Sequence, residues 1–133
     1  MRRRTLVRSL GASAIGLIAV LGACFWLKRP ERVFLPTLAQ GLPAEFQKAN
    51  EIFKARVNEN FPVGSSATVL VQRLQVDGFK KHGPFREKPD KSEMYLANFV
   101  QPGFPCKLTW AIYWRSENDK LTLVMSSYTG TCL

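Results

Sequence analysis

The sequence has few of the residues from which catalytic and metal sites are built. Its 133 residues include one histidine and three cysteines. The histidine, His82, lies in a lysine-rich stretch, where an exposed side chain is expected rather than a base held in a packed cleft. No two cysteines form a CxxC pair, so a zinc site is not predicted. The sequence therefore predicts no enzyme activity, no metal and no cofactor.

Phosphate-binding and carboxylate sites are also lacking. Gly64-Ser65-Ser66 has neither the glycine spacing nor the lysine of a phosphate-binding loop, so we interpret Gly64 as a turn residue. The carboxylates of Glu45, Glu51 and Glu59 fall on a predicted helix, and the other acidic residues are scattered. Nothing in this spacing requires two carboxylates to share one depression, as acid–base catalysis by a carboxylate pair would need.

The net charge of +9 is distributed unevenly along the chain. Residues 1–32 contain seven of the 19 Lys and Arg residues but only one of the ten acidic residues. Residues 33–133 contain twelve basic and nine acidic residues and are only mildly basic. Because the excess flanks an apolar segment, we assign it to membrane orientation and predict no nucleic-acid partner.

That apolar segment, residues 9–27, contains no charged side chain and follows a basic head of residues 1–8. As a helix it would rise about 28 Å, close to the hydrocarbon thickness of a bilayer. An uncleaved anchor is therefore predicted over residues 1–29. The positive-inside tendency places the basic head in the cytoplasm, and we predict a single-pass anchor in the inner membrane with the following domain in the periplasm.

The same segment supports a second interpretation. Leu21-Gly22-Ala23-Cys24 resembles the lipobox of bacterial lipoproteins, in which the signal is cut before a cysteine that then carries lipid. Cys24 is then the lipidation site, and lipid tethers the domain to a membrane. An ordinary cleaved export signal is a third alternative. Each of the three places the rest of the chain outside the cytoplasm.

Residues 30–42 are predicted to form a linker, because Pro30, Pro36 and Gly41 interrupt regular structure there. The folded domain is predicted over residues 43–133. It follows the anchor as a single α+β unit.

Two helices are predicted to open this domain. The first spans residues 43–60, where four apolar residues recur at helical spacing: Phe46, Ala49, Phe53 and Val57. The second lies within residues 65–79, with Ser65 or Ser66 as its cap and Asp77-Gly78 as its stop. Val69-Leu70-Val71 also suits a strand by propensity. The i, i+3, i+4, i+7 spacing of its apolar residues nevertheless favours the helix.

Three antiparallel strands are predicted to follow. Residues 80–93 are polar and contain two prolines and a glycine, so they are predicted to form an exposed loop. The first strand spans residues 94–100, with Tyr95, Ala97 and Phe99 on one face. The fold class predicted is therefore α+β, with an N-terminal membrane or export helix followed by two helices packed on a three-stranded antiparallel sheet.

A hairpin from Cys106 to Cys132 supplies the other two strands. Leu108, Trp110, Ile112 and Trp114 alternate with more polar residues, and the chain is predicted to turn at Asn118. We predict that Ile112 lies opposite Met125 and Trp114 opposite Leu123. This pairing gives the hairpin one apolar face, and we expect Trp110, Trp114 and Phe99 to fill the core beneath the helices. This register leaves the two cysteines one residue out of phase, which a bulge near Gly130 would correct.

Cys106 and Cys132 are predicted to form a structural disulfide at the open end of this hairpin. Outside the cytoplasm, two cysteines at the ends of neighbouring strands usually form a bond of this kind. The alternative is that one of them is a reactive thiol. Alkylation of the native protein distinguishes the two interpretations, because only a free thiol reacts.

Two groups of residues are candidate partner contacts. Tyrosines exposed on a sheet supply contact area with little entropy loss, and three are available: Tyr95, Tyr113 and Tyr128. The basic stretch contributes Lys80, Lys81 and Arg86, which could contact anionic lipid or an acidic protein.

The segment from Phe61-Pro62-Val63-Gly64-Ser65-Ser66 to Gly78-Phe79 carries a resemblance to known families. With the order helix, helix, three strands behind an export segment, the chain resembles the small lipoprotein of the outer-membrane barrel-assembly machinery. It is also similar to the beta-lactamase inhibitor protein repeat. Both resemblances imply a non-catalytic envelope domain that binds protein through its sheet or loops.

Three functions are therefore open. The first is a membrane-tethered envelope domain that mediates protein–protein interaction, as an accessory subunit or an inhibitor or immunity-type protein. The second is a small envelope hydrolase or thiol enzyme that uses Cys106 or Cys132. The third is a module that contacts anionic lipid through the basic stretch of residues 80–88.

Overall fold

A four-stranded antiparallel sheet with two helices on one face forms the fold in the computed structural model, which describes residues 34–86 and 92–133. A 3-10 turn, Thr37–Ala39, precedes the elements, which in chain order are α1 (Phe46–Asn60), α2 (Ala67–Val76), β1 (Lys80–Arg86), β2 (Glu93–Gln101), β3 (Cys106–Glu117) and β4 (Lys120–Cys132). The strands lie in the order β1-β2-β3-β4. The α+β class and the two helices are confirmed, but the sheet has four strands rather than three.

The predicted membrane segment, residues 9–27, and Cys24 lie outside the described residues. Within the described ranges, no helix has the length and apolarity needed to cross a bilayer.

The two helices form where their apolar spacing places them. Ala49, Phe53 and Val57 of α1 are fully buried, as their helical spacing predicts. In α2 the buried residues are Ala67, Leu70 and Leu74. The N-terminus of α2 is capped by the Ser66 hydroxyl, which accepts a hydrogen bond from the Val69 backbone N–H at 3.2 Å.

Part of the predicted linker packs against α1. Pro36 is fully buried, and Leu38 and Ala39 join the hydrophobic core. The Arg56 guanidinium of α1 donates hydrogen bonds to the backbone oxygens of Leu38 and Gln40, at 3.1 and 2.6 Å. These bonds attach residues 36–40 to the side of α1.

Strand β1 occupies residues that were predicted to form a loop, and this prediction was wrong. All seven residues of β1 are exposed, so the segment has no apolar alternation by which a strand is recognised. Gly83-Pro84 also resembles a turn. It is accommodated because β1 is an edge strand whose pairing with β2 shifts between His82 and Phe85, and prolines are tolerated at such positions.

The pairing of β3 with β4 differs by one residue from the predicted register. Ile112 lies opposite Ser126 rather than Met125, and Trp114 lies opposite Val124 rather than Leu123. The predicted bulge near Gly130 is wrong, because the register shift of this pair lies between Arg115 and Ser116, beside the turn.

The register shift decides the composition of the core. Beyond it, Val124 and Tyr128 turn towards the helices, whereas Leu123 and Met125 lie on the opposite face. Gly130 is paired regularly with Leu108, so it is not part of a bulge. A Cβ atom at Gly130 would lie 2.5 Å from Cζ of Phe46. Glycine at this position therefore allows the Phe46 ring of α1 to approach β4.

The core between helices and sheet is built around the predicted aromatic face of β3. Trp110, Ile112 and Trp114 are at most 3% exposed. Phe99 and Trp110 contact each other with ring centroids 5.9 Å apart. The placement of both tryptophans and Phe99 beneath the helices confirms the prediction from strand alternation.

The turn between β3 and β4 also anchors α2. Asn118 and Asp119 both have positive φ angles, of 50° and 63°, as a two-residue hairpin turn requires. The Asp119 carboxylate accepts hydrogen bonds from the Ser66 hydroxyl at 2.7 Å and from the Thr68 backbone N–H at 2.8 Å. The Thr68 hydroxyl donates a further bond at 2.7 Å. A carboxylate is thus held at the N-terminus of α2, where the helix dipole favours negative charge.

The disulfide is present where it was predicted. Cys106 and Cys132 lie directly opposite each other, and their sulfurs are joined across a sequence separation of 26 residues. The bond closes the end of the hairpin that lies away from the turn.

Removing this bond should destabilise the domain without changing its fold. In the chain-entropy model, a loop of this length is worth about 3 kcal/mol of unfolding free energy. We expect the Cys106→Ser, Cys132→Ser double variant to lose that amount in urea unfolding. A reductant should then have no further effect on it. Equal stability of the oxidised and reduced native chain would contradict the prediction.

The Asp119 contacts should make stability depend on pH in the acid range. Hydrogen bonds from Ser66, and then from the hydroxyl and backbone N–H of Thr68, lower the pKa of Asp119 below its ordinary value of 3.8. A carboxyl whose pKa is lower in the folded state contributes stability above its unfolded pKa, and this is lost as pH falls through the folded pKa.

We therefore expect Asp119→Asn to reduce the unfolding free energy at neutral pH, with a difference from the native chain that shrinks as the pH falls below about 4. Urea unfolding at a series of pH values measures this. Glu117→Gln, which removes the other carboxylate of the same turn region, is the control. A constant difference across the acid range would refute the assignment.

Candidate functional site

The face of the sheet opposite the helices carries the candidate site. Because β3 directs Trp110, Ile112 and Trp114 towards the helices, its odd-numbered residues lie on the outer face. In the described ranges, both helices contribute their buried residues to the core on the other face, and neither packs here. The outer face is therefore where side chains from all four strands are available to a partner.

Strand register arranges apolar side chains in rows across this face. One row runs from His82 through Leu96 and Tyr113 to Met125, each residue lying opposite the next. Beside it, Phe85 of β1 is paired with Met94 of β2, and Leu123 of β4 is paired with Arg115 of β3, which also lies on this face. We name five of these side chains the outer apolar patch: Phe85, Leu96, Tyr113, Leu123 and Met125.

The patch is accessible to a partner. Phe85 is 50% exposed and Met125 is 44% exposed, and the other three side chains are half-buried. Towards the disulfide the same face carries the polar Asn98 and Ser127 on either side of Ala111, and then Val100 opposite Thr109. A contiguous apolar area bordered by polar residues is typical of an interaction site.

Of the three candidate tyrosines, Tyr113 lies in the patch and the other two do not. Tyr95 stacks on Trp114 at 5.7 Å on the helix side of the sheet. Its hydroxyl donates a hydrogen bond to Glu93 at 3.1 Å, and this carboxylate raises the pKa of Tyr95.

Tyr128 is held between two other aromatic rings. It stacks between Phe46 and Trp110, with centroid distances of 5.2 and 4.9 Å. Burial raises the pKa of Tyr128. Both contacts fix its ring at the border of the core, so Tyr128 has a packing role.

The candidate basic residues all lie on the exposed edge strand β1. Lys80 is on the outer face, opposite Asn98. The Lys81 ammonium lies 4.9 Å from the centre of the Tyr95 ring, and Arg86 lies 3.9 Å from Glu93. The structure therefore places Lys80 and Tyr113 on the same outer face of the sheet, two strands apart, but it does not gather all six candidate residues at one place.

The imidazole of His82 also lies at this edge. Its Nε2 is 2.9 Å from Oδ1 of Asn98 on the adjacent strand. A nucleophile oriented by this histidine is not found among its described contacts. In residues 34–86 and 92–133, no group of three or more His, Cys, Asp or Glu residues could hold a metal ion.

A groove of about 370 Å³ separates α2 from the sheet. Lys81 and Tyr95 line it on the sheet side, and Thr68, Gln72 and Asp119 line it near α2. The Asp119 carboxylate already accepts three hydrogen bonds from the start of α2. The Asp119 carboxylate is therefore already engaged in contacts that hold α2. The groove could receive a side chain, but it does not bring together a set of reacting groups.

Sequence reasoning identified Tyr113 and Lys80 but missed most of the outer apolar patch. Phe85 was assigned to a loop, and Leu123 and Met125 were assigned to the core face. One signal was present: residues 121–125 read Leu-Thr-Leu-Val-Met, with apolar residues at both odd and even positions. Such a run supplies both faces of a strand.

Comparison with protein-family models, with curated proteins and with solved structures returns no match to this chain. The resemblance to the barrel-assembly lipoprotein and to the inhibitor repeat therefore stays a prediction, and the function has to be argued from the outer apolar patch itself.

Proposed function

We propose that this protein is a membrane-tethered, non-catalytic envelope domain that binds another protein through the outer apolar patch. The observation that carries the proposal is the helix-free face of the sheet, on which Phe85, Tyr113 and Met125 are presented by three different strands. An apolar surface with an aromatic residue near its centre matches the composition of protein interfaces.

The dimensions of this face support a protein as the partner. Four strands spaced about 4.8 Å apart, with lengths of up to about 40 Å, form a surface of several hundred square ångströms. A standard protein interface buries about 800 Å² on each partner. The outer face is thus of the right order when adjoining loops contribute.

The proposed location outside the cytoplasm rests on two features. One is the uncharged segment of residues 9–27 behind a basic head. The other is the disulfide, since such bonds persist in oxidising compartments. We propose an inner-membrane anchor with the domain in the periplasm, with lipidation at Cys24 as the alternative. Intact mass of the membrane-extracted chain separates the two.

The thiol-enzyme alternative is the weaker one. It needs a cysteine thiolate as nucleophile. Cys106 and Cys132 are bonded to each other in the described domain. An alkylatable thiol at either position in the native exported protein would revive it.

Site-specific photocrosslinking tests the patch directly. A photoreactive residue at position 113 should give one dominant adduct with another envelope protein, because Tyr113 lies in the middle of the patch. The control places the same photoreactive residue at position 76, because Val76 is 88% exposed on α2. This variant should not give that adduct. Equal adducts from both positions, or repeated absence of a protein adduct at 113, would refute the proposal.

A pair of matched substitutions refines this test. Phe85 is 50% exposed within the patch, and Val69 is 49% exposed on α2. We expect Phe85→Ser to abolish the adduct from position 113 and Val69→Ser to leave it unchanged. Thermal unfolding of both variants verifies that each remains folded.

The exposed basic residues of β1 favour anionic lipid as a second candidate partner. Each Lys or Arg near an anionic bilayer contributes about 1 kcal/mol. If lipid is the partner, the domain without residues 1–33 floats with vesicles containing anionic lipid, and Lys80→Glu with Lys81→Glu abolishes flotation. Flotation that is independent of anionic lipid, or absent, removes this candidate. The deletion leaves the described body, which begins at Phe34, intact.

A further inference from the structure

The charged side chains of the described body are divided unevenly between the two sides of the sheet. Residues 34–86 and 92–133 contain ten basic and seven acidic side chains. The side that carries the helices, with the Asp119 carboxylate bound to α2, holds six of each sign. The net positive charge of the body therefore lies on the outer face, which holds the remaining four basic residues and one acidic residue: Lys80, Lys107, Arg115, Lys120 and Glu117.

Two neighbouring lysines of β1 illustrate this division. Lys80 lies on the outer face, opposite Asn98. Lys81 turns to the helix side, where its ammonium lies 4.9 Å from the centre of the Tyr95 ring. Both lysines are exposed and both belong to the edge strand. They therefore differ chiefly in the side of the sheet to which they bring their charge.

Positive charge adjoins the outer apolar patch on more than one side. Arg115 lies on the outer face opposite Leu123 of the patch. Lys80 lies in the next row of residues towards the disulfide. The single outer-face carboxylate of the described ranges, Glu117, lies opposite Lys120 beside the turn. The patch is thus an apolar area whose charged surroundings are mainly cationic.

We propose that the protein bound at the outer apolar patch presents an apolar centre bordered by carboxylates, at least one of which faces Lys80. This partner chemistry rests on the proposed function, because it describes the protein that binds at the same patch. Apolar contact supplies the centre of such an interface, and complementary charges at its rim speed association and fix the orientation of the partner.

The same charges disfavour the other occupants of this face. In a two-fold dimer the outer face would meet itself, so the excess of cations on one copy would oppose the same excess on the other. An anionic bilayer that approaches the exposed edge strand would meet Lys80 and Lys81 alike. A protein docked on the patch meets Lys80 but not Lys81, and this difference provides the test.

Photocrosslinking of the full chain from position 113, in native membranes, measures the contribution of each lysine. Lys80→Glu should lower the yield of the protein adduct about two- to fivefold, because an exposed ion pair is replaced by a repulsion. Lys81→Glu changes the net charge equally on the same strand, and this matched control should leave the yield unchanged. Raising the salt from about 0.1 M to about 1 M should lower the yield from the chain that retains both lysines, because the Debye length falls from about 10 Å to about 3 Å.

Charge exchange identifies the acidic group itself. Mass spectrometry of the adduct locates the crosslinked segment of the partner, and replacing an Asp or Glu of that segment by Lys should restore the adduct with the Lys80→Glu chain.

Undiminished yield from Lys80→Glu, equal loss from Lys81→Glu, or a yield that does not fall with salt overturns the acidic partner but leaves protein binding at the patch in place. An adduct between two copies of the chain also overturns it. If the chain that retains both lysines gives no protein adduct, the proposed function and this inference fail together. Thermal unfolding shows whether each variant folds, and the salt dependence decides alone if Lys80→Glu does not.

Discussion

The one-residue shift in the pairing of β3 and β4 determines which side of the sheet each later residue of β4 occupies. Since strand side chains alternate, a single extra residue beside the turn exchanges the two faces of the strand. The exchange sends Val124 and Tyr128 to the core and leaves Leu123 and Met125 outside. The packing of α1 and the composition of the outer apolar patch are therefore two results of the same irregularity.

Two contacts hold this register at opposite ends of the hairpin. Near the bulge, Asp119 binds the first residues of α2, so a slip of β4 would break the cap as well as the ladder. At the other end, Cys106 and Cys132 are bonded directly opposite each other. The bond is compatible with one register only, because a shift would move the sulfurs apart.

Sequence periodicity was sufficient to predict the helices and strands that bury one face. Phe53 and Val57 of α1, and Trp110 and Trp114 of β3, recur at the spacing their structure requires. It could not identify β1, since an edge strand exposed along its length has no apolar period. The apolar pattern also could not determine the register of β4, because apolar residues occur there at both odd and even positions. Consequently Tyr113 could be found, but Phe85 and its neighbours in the outer apolar patch could not.

The outer apolar patch lies in the part of the sheet that the turn contacts hold in place. Its residues lie in the half of the outer face nearest the β3–β4 turn, where the Asp119 contacts fix the turn to α2. Surfaces held in one conformation before binding lose less conformational entropy when a partner docks. The half nearer the disulfide carries Asn98 and Ser127, which remain favourably hydrated without a partner. A single partner surface that is apolar at its centre and polar towards one side would thus bind this sheet in one orientation.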